Sequence, residues 1–250
     1  MRYFNWQLKK TLFSAESILA FTFTLCCYIF SGMFIIGFDN DFMSDFVRIV
    51  SNSLPVLIFP MLACVPVAVS YITEYKSGYL NLVLCKVPLK RYIAGKLLTN
   101  AFVGGLVISL PAILYLFRIL AKKGSAVGPH EQASWSIEFY PDLYENFPLL
   151  YSGILIGCIF LCGASFATLG LGIGAILKKK YLVVLVPEVY YVGVAALVQN
   201  MNLCRYLDPM TLYVLNSPVP LRLSIRLFYV ITILAVGVVL FILGVRKNVE

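Results

Sequence analysis

The pattern of apolar and polar residues divides the chain into six long apolar runs joined by shorter polar segments. Each run has about 20 residues or more, which is the length that an α-helix needs to cross the hydrocarbon core of a bilayer. The third and fourth runs are longer, so we expect their helices to tilt or to project beyond the membrane. The predicted spans cover approximately residues 17–38, 53–73, 93–120, 149–177, 181–199 and 227–244. The sequence therefore predicts an all-α integral membrane protein in which residues 1–250 form one transmembrane domain.

The composition agrees with this prediction. Hydrophobic residues make up 60% of the chain and charged residues only 13%, with a mean hydropathy of +0.88. A soluble domain of 250 residues needs more charge on its surface. The net charge of +8 comes from basic residues that flank the apolar runs and form no single patch, which argues against nucleic acid as a partner. Of the seven cysteines, most lie inside apolar runs without a histidine nearby, so we expect neither a disulfide framework nor a metal site.

The placement of lysine and arginine predicts the orientation. With the N-terminus inside, the cytoplasmic segments hold 13 of the 20 basic residues and three acids, whereas the outer segments hold seven basic residues and eight acids. Such an excess of basic residues is typical of the cytoplasmic side. The inverted orientation would leave Lys178, Lys179 and Lys180 outside. Both termini are therefore expected in the cytoplasm.

The first residues are too polar and aromatic for a cleavable signal peptide, so the first span should remain in the mature protein. Phe4, Leu8 and Leu12 recur every four residues, and the basic side chains of Arg2, Lys9 and Lys10 can reach anionic lipid headgroups. This pattern predicts an amphipathic helix over residues 3–13 that lies along the inner membrane surface. The alternative is a basic flank without a helix of its own.

Prolines single out the second and fifth spans. Pro60 and Pro66 in the second span cannot donate backbone hydrogen bonds, so we expect this helix to be bent or broken, with its freed carbonyl groups covered by neighbouring helices. In the fifth span Glu188 follows Pro187. A carboxylate within a span costs about 2.5 kcal/mol or more, so Glu188 should face protein or water and have a partner. These four residues are the candidates for a transport path; for Glu188 the alternative is a protonated or snorkelling carboxyl group.

Glycines are frequent in the fourth span. Gly153 and Gly157 form a small-xxx-small pair, which predicts a close approach of two helix backbones.

The sequence contains few residues that could carry out catalysis. His130 is the only histidine and lies in an outer polar segment, so a multi-histidine metal site is excluded. The sequence AGKLL around Gly95 and Lys96 lacks the upstream glycine of a phosphate-binding loop, so the chain is not expected to hydrolyse ATP. We therefore predict that it is not an enzyme and binds no cofactor itself.

The segment between the second and third spans is the most informative. It runs from Glu74 through Lys76 and Gly78 into a short apolar patch at 80–84, and it breaks at Pro88 before a basic turn. This order predicts a short helix at the cytoplasmic face with charged ends and one apolar side. The alternative is an ordinary basic loop.

This order of residue types resembles the permease subunits of bacterial type-2 ABC exporters. Such permeases show an acidic residue, a glycine, an apolar patch, a proline–basic turn and a Gly-Lys pair that opens the next span. Here Tyr79 follows the glycine in place of the frequent threonine, and Cys85-Lys86 replaces a small or polar pair. The resemblance implies a coupling helix that docks on a separate ATPase subunit through Glu74, Tyr75, Lys76, Gly78, Leu80, Leu82, Pro88, Lys90 and Arg91. It also implies a re-entrant outer segment over residues 200–226.

The function implied by the resemblance is ATP-driven export across a bacterial plasma membrane. Two such permeases, identical or related, would pair above two ATPase subunits that bind ATP and magnesium. The cargo would be an antimicrobial peptide, a drug or a lipid-like amphiphile. Two alternatives remain open: an ATP-independent channel or ion-coupled transporter, and a membrane subunit that transports nothing.

Overall fold

The computed structural model describes residues 2–35, 42–124, 141–200, 208–213 and 223–249, and within these ranges all regular structure is helical. Six of the helices are long and apolar enough to cross a membrane. The helices in chain order are α1 (Arg2–Leu12), α2 (Ala15–Ile35), α3 (Phe42–Asn52), α4 (Leu54–Lys76), α5 (Tyr79–Leu84), α6 (Leu89–Lys123), α7 (Pro141–Asn146), α8 (Pro148–Leu177), α9 (Lys180–Asn200), α10 (Met210–Tyr213) and α11 (Leu223–Val249).

The prediction of a multi-pass helical membrane protein is confirmed at this level. The six candidate spans are α2, α4, α6, α8, α9 and α11, and each overlaps one predicted apolar run. The two runs predicted to exceed a bilayer correspond to α6 and α8, which have 35 and 30 residues. At 1.5 Å rise per residue both are longer than the hydrocarbon core is thick.

Helix α8 is the centre of the bundle, because it packs against α4, α6, α9 and α11. Small residues make these contacts close. A Cβ atom added to Gly163 would lie 2.9 Å from the carbonyl oxygen of Gly104 in α6, and one added to Gly172 would lie 2.6 Å from that of Gly237 in α11. Only glycine lets two helix backbones approach this closely.

The predicted close approach at Gly153 and Gly157 was wrong within this chain. A Cβ atom at either position would have no described atom within 4 Å, because both residues lie on an exposed side of α8. The four-residue spacing identifies two glycines on one face of a helix. It does not say which face meets a neighbouring helix.

Helix α4 continues from Leu54 to Lys76 through Pro60 and Pro66, so the span is not broken. Pro60 has no N–H group to donate to the carbonyl oxygen of Val56. The hydroxyl group of Tyr191 in α9 donates to that oxygen instead, at 2.9 Å. The expectation that a neighbouring helix covers a freed carbonyl group is confirmed at this position.

Helix α3 was not predicted. Apolar side chains recur three and four residues apart in this segment, at Phe42, Phe46, Ile49 and Val50, and all four are buried. This spacing is typical of an amphipathic helix. The segment is too short to span a membrane, and its aspartate and its arginine made it resemble a polar connection.

The alternating directions of the spans give the bundle two ends. We call the end that carries α1, α5 and the last turn of α4 the Glu74 end; α3, α7 and α10 lie at the opposite end. Of the predicted re-entrant segment, residues 201–207 and 214–222 lie outside the described residues, as does His130. The described part includes α10, which packs against α8, α9 and α11.

Candidate functional site at the Glu74 end

The carboxylate group of Glu74 holds three helices together. Its Oε2 atom accepts a hydrogen bond from Lys96 Nζ in α6 at 2.8 Å, and a longer one from the Tyr92 hydroxyl group at 3.4 Å. Its Oε1 atom lies 3.7 Å from Lys10 Nζ in α1. Lys96 also donates to Ser70 Oγ at 3.1 Å, one helical turn before Glu74. We call these five side chains the Glu74 network.

The burial of this network determines its energetics. The side chain of Lys96 is 1% exposed and that of Glu74 is 14% exposed. A buried ammonium group is strongly destabilising unless it is paired and hydrogen-bonded, and two acceptors satisfy this one. The pair therefore constrains the distance between α4 and α6 at this end, whatever its net contribution to stability.

Two neighbouring tyrosines of α4, Tyr71 and Tyr75, contact α11 and the end of α8. Lys178 Nζ, just after α8, donates to the Tyr75 hydroxyl oxygen at 2.8 Å and lies 4.6 Å from the centroid of that ring. Asn248 Nδ2 in α11 donates to the Tyr71 hydroxyl oxygen at 3.2 Å and to the carbonyl oxygen of Ala175 at 2.9 Å. The last two turns of α4 thus contact α1, α6, α11 and the end of α8.

Gly78 turns the chain from α4 into α5. The N–H groups of Ser77 and Gly78 donate to the carbonyl oxygens of Thr73 and Tyr75. Gly78 has a φ angle of +71°, in the left-handed region that residues with a Cβ atom rarely adopt. A glycine at this position therefore ends α4 and directs α5 across the end of the bundle.

Helix α5 has one side packed on the bundle and one side exposed. Leu80 is buried in an apolar cluster with Tyr71, Ile72 and Tyr92. Leu82 is 65% exposed. Next to it is an apolar cleft of about 460 Å³ that Trp6 and Val87 also line. The sequence prediction of a short helix with an apolar side is confirmed. Of its apolar residues, Leu80 packs on the bundle and Leu82 is exposed.

The predicted basic residues of this segment are exposed. Lys76, Lys90 and Arg91 contribute to the charged surface around α5. Pro88 stands at the N-terminus of α6, where its carbonyl oxygen accepts from the N–H groups of Arg91 and Tyr92. Proline is well suited to this position because the first N–H groups of a helix have no intrahelical partner.

The four candidates for a transport path separate into two places. Glu188 Oε2 accepts a hydrogen bond from the backbone N–H of Met61 at 3.2 Å, directly after Pro60. Pro187 is buried beside it in α9. Pro66 lies further towards the Glu74 end, where it borders a polar cavity. The structure therefore brings Glu188, Pro187 and Pro60 together between α4 and α9 and leaves Pro66 apart.

Sequence reasoning missed the partners of Glu74. Lys96 was seen as half of a Gly-Lys pair, and Lys10 as a residue that contacts lipid headgroups. One signal was present, because Lys96 lies inside an apolar run and a cation in a span requires a partner. Nothing in the spacing identified Glu74, which lies 22 residues earlier, as that partner.

No protein-family model, curated protein or solved structure matches this chain. In the part of the chain that the structure describes, no group of three or more histidine, cysteine or acidic residues could hold a metal ion. The role of the Glu74 end is therefore inferred from its geometry and from the residue pattern around α5.

Proposed function

We propose that this chain is the membrane-spanning permease subunit of an ATP-driven exporter, and that α5 is the helix on which a separate ATPase subunit docks. The observation that carries the proposal is the two-sided packing of α5. Its exposed side, with Leu82 and the adjacent apolar cleft, is available to a partner. Its buried side, through Leu80, contacts the residues at the end of α4 to which the other helices are joined.

The contacts support a mechanical coupling between α5 and the spans. A force on α5 passes through the Gly78 turn to the last turn of α4. From there Lys10, Lys96 and Lys178 transmit it to α1, α6 and the α8–α9 junction. Closure of an ATPase dimer would then move the spans as rigid bodies.

Individual residues take different roles in this proposal. The Glu74 carboxylate points into the bundle, so Glu74 connects α4 to α6 and α1 and does not contact the ATPase. Leu82, Lys76, Lys90 and Arg91 are exposed and supply the docking contacts. Gly78 and Pro88 fix the ends of the segment, and Tyr75 connects it to Lys178.

The proposed orientation places the Glu74 end and both termini in the cytoplasm. Supporting it, many exposed basic residues lie at this end and would meet the anionic inner leaflet; they include Lys9, Lys76, Lys86, Lys90, Arg91, Lys179, Lys180, Arg246 and Lys247. In the same orientation α1 lies along the inner surface, and α10 lies at the outer end of the bundle. The membrane is proposed to be a bacterial plasma membrane.

The proposed assembly contains a second permease, identical or related, and two ATPase subunits that hold ATP and magnesium. Glu188 would offer a polar group to cargo that passes between α4 and α9. The exposed faces of α2, α9 and α11 are apolar, with side chains such as Phe23, Val192 and Phe228, and favour a route shared with lipid. We therefore propose an amphiphilic cargo, such as an antimicrobial peptide, a drug or a lipid-like molecule.

The proposal predicts an ATPase gene next to the gene of this chain. The experiment that tests it is co-purification of the two gene products, followed by measurement of ATP hydrolysis in proteoliposomes. Leu82→Glu should abolish co-purification, because it places a charge on the apolar docking side without disturbing the core. The matched control is Phe147→Glu, an equally exposed apolar residue at the opposite end. It should leave the complex intact.

Two outcomes would contradict the proposal. One is an ATPase that remains bound to the Leu82→Glu protein as tightly as to the wild type. The other is efflux of a fluorescent cationic amphiphile from vesicles that continues after ATP is depleted, which would favour an ion-coupled transporter.

A further inference from the structure

A polar cavity of about 480 Å³ opens between α1 and the end of α4, beside the Glu74 network. Its volume is within the range of sites that bind small molecules. Its lining combines the hydroxyl groups of several serines and threonines with Gln7, Lys10, Glu16 and Glu74. Lys10, Glu16, Thr73 and Ser77 are exposed at the mouth of this cavity, whereas Gln7 and Thr11 are buried.

Gln7 is the residue that indicates a ligand. It lines the cavity, it is 3% exposed, and its Oε1 atom has no hydrogen-bond partner among the described residues. A buried amide oxygen without a partner costs about 1–3 kcal/mol. A hydrogen-bond donor that enters the cavity would recover this cost.

The charges around the cavity define the ligand further. Glu16 and Glu74 are acceptors, and Lys10 is the lining cation. Lys96 lies behind Glu74 and neutralises it, and it is not among the described residues that line the cavity. The cavity therefore offers several acceptors to an amine group and one ammonium group to a phosphate.

An apolar rim accompanies these polar groups. Pro66 and Leu82 line the cavity, and Trp6 lies beside it with Lys10 Nζ 5.2 Å from its ring centroid. Exposed aromatic residues next to basic ones are typical of the headgroup level of a membrane. A ligand with acyl chains could thus leave its headgroup in the cavity and its chains along the bundle.

We propose that this cavity binds the headgroup of an aminophospholipid of the phosphatidylethanolamine class. Its primary ammonium group donates to Gln7 Oε1 and to the carboxylates, and Lys10 contacts its phosphate. Phosphatidylcholine fits less well because its quaternary ammonium group has no N–H to donate. Phosphatidylglycerol fits less well because it brings a net negative charge to a site with two carboxylates. The site goes beyond the proposed export function and requires only that the chain spans a membrane.

Native mass spectrometry of the full chain in detergent tests this site. The protein is titrated with short-chain phosphatidylethanolamine, phosphatidylcholine and phosphatidylglycerol, and the dissociation constant of the first bound lipid is measured. We expect phosphatidylethanolamine to bind about tenfold more tightly than either other lipid, equivalent to one hydrogen bond to a charged group. Gln7→Leu should remove this preference while retaining the side-chain volume.

A second pair of variants keeps the test independent of the folding of Gln7→Leu. Lys10→Met should weaken phosphatidylethanolamine binding, whereas Lys9→Met removes the same charge from a neighbouring exposed residue outside the cavity and should have no effect. Equal affinity for the three lipids, or equal effects of the two lysine variants, would overturn the proposal. Displacement of the lipid by low millimolar soluble phosphoethanolamine would also overturn it, because the site would then serve a free metabolite.

Discussion

Two buried cations at opposite ends of the bundle are held in different ways. Lys96, at the Glu74 end, donates to a carboxylate and a hydroxyl group, so side chains make the contact from both helices. Arg226, at the opposite end, is 3% exposed and donates from Nη1 to the backbone carbonyl oxygen of Thr211 at 2.6 Å. Next to it the thiol of Cys162 donates to the carbonyl oxygen of Leu212. The first cation joins two long helices, whereas the second fixes the four-residue helix α10.

This difference indicates which end can change its conformation. The Glu74 carboxylate has two cations within reach, Lys96 and Lys10, and it borders an open cavity. A small movement of α4 can therefore shift the Glu74 carboxylate between the two cations, while Ser70 Oγ still accepts a hydrogen bond from Lys96. At the opposite end Arg226 holds a backbone carbonyl oxygen of α10, so we expect that end to stay fixed while the Glu74 end moves.

The largest effect is expected from Lys96→Met. It leaves Glu74 without its closest partner, and breaking a buried pair costs about 3 kcal/mol or more. Glu74→Gln should cost a similar amount, because it leaves Lys96 buried opposite a neutral group. The double variant should recover most of the loss. Unfolding in mixed micelles measures the four free energies of this cycle.

The control for this cycle is Lys90→Met, which removes an exposed cation from the same helix and should change stability little. If the two single effects simply add in the double variant, Lys96 and Glu74 do not act as a pair. The two ends would then not differ in the way that their buried cations are held.

A smaller effect is expected from Arg226→Met. It removes one charge-assisted hydrogen bond and leaves the buried carbonyl oxygen of Thr211 unsatisfied, at a cost of about 2 kcal/mol. Hydrogen exchange should increase in α10 and remain unchanged in α5. Arg246→Met, an exposed arginine of the same helix, is the matched control. Increased hydrogen exchange at both ends would mean that the two ends are coupled, contrary to the expectation that one end moves while the other stays fixed.

The smallest effect is expected from a pair of glycine variants. Gly78 and Gly124 both have positive φ angles, and a Cβ atom at either would have no described neighbour within 4 Å. Alanine should cause no clash at either position. Gly78→Ala should cost about 1 kcal/mol of backbone strain. Gly124→Ala should cost at least as much, because the ψ angle of −164° at Gly124 belongs to a region that almost only glycine adopts. Gly78→Ala should also weaken ATPase binding, since it redirects α5, whereas Gly124→Ala at the opposite end should not. Equal ATPase binding by the two variants would count against docking at α5.

The spans were predictable because a bilayer imposes a length and an apolar composition that can be read residue by residue. The short helix α5 was also predictable, since Gly78 and Pro88 limit it on both sides. Helix α3 was not predicted although its periodic apolar residues were visible, because its length excluded it from the search for spans.

The candidate site was predictable as a segment but not as a set of contacts. Glu74 was identified as the leading acid of the segment, and the structure turns its carboxylate into the bundle. Gly153 and Gly157 illustrate the same limit, because their spacing was correct for close packing but they face outwards. Which face of a helix is buried depends on its neighbours, and no single-helix pattern contains that information.

By itself the sequence determined that the chain has six apolar helices, because burial in hydrocarbon requires long apolar runs and internally satisfied backbones. It also determined where the chain turns, through glycine and proline. Only the tertiary structure decided that Lys96 pairs with Glu74, that Tyr191 covers the carbonyl group freed by Pro60, and that Gln7 faces a polar cavity. Each of these contacts joins residues from different helices, and the packing of those helices depends on the shapes of all their side chains together.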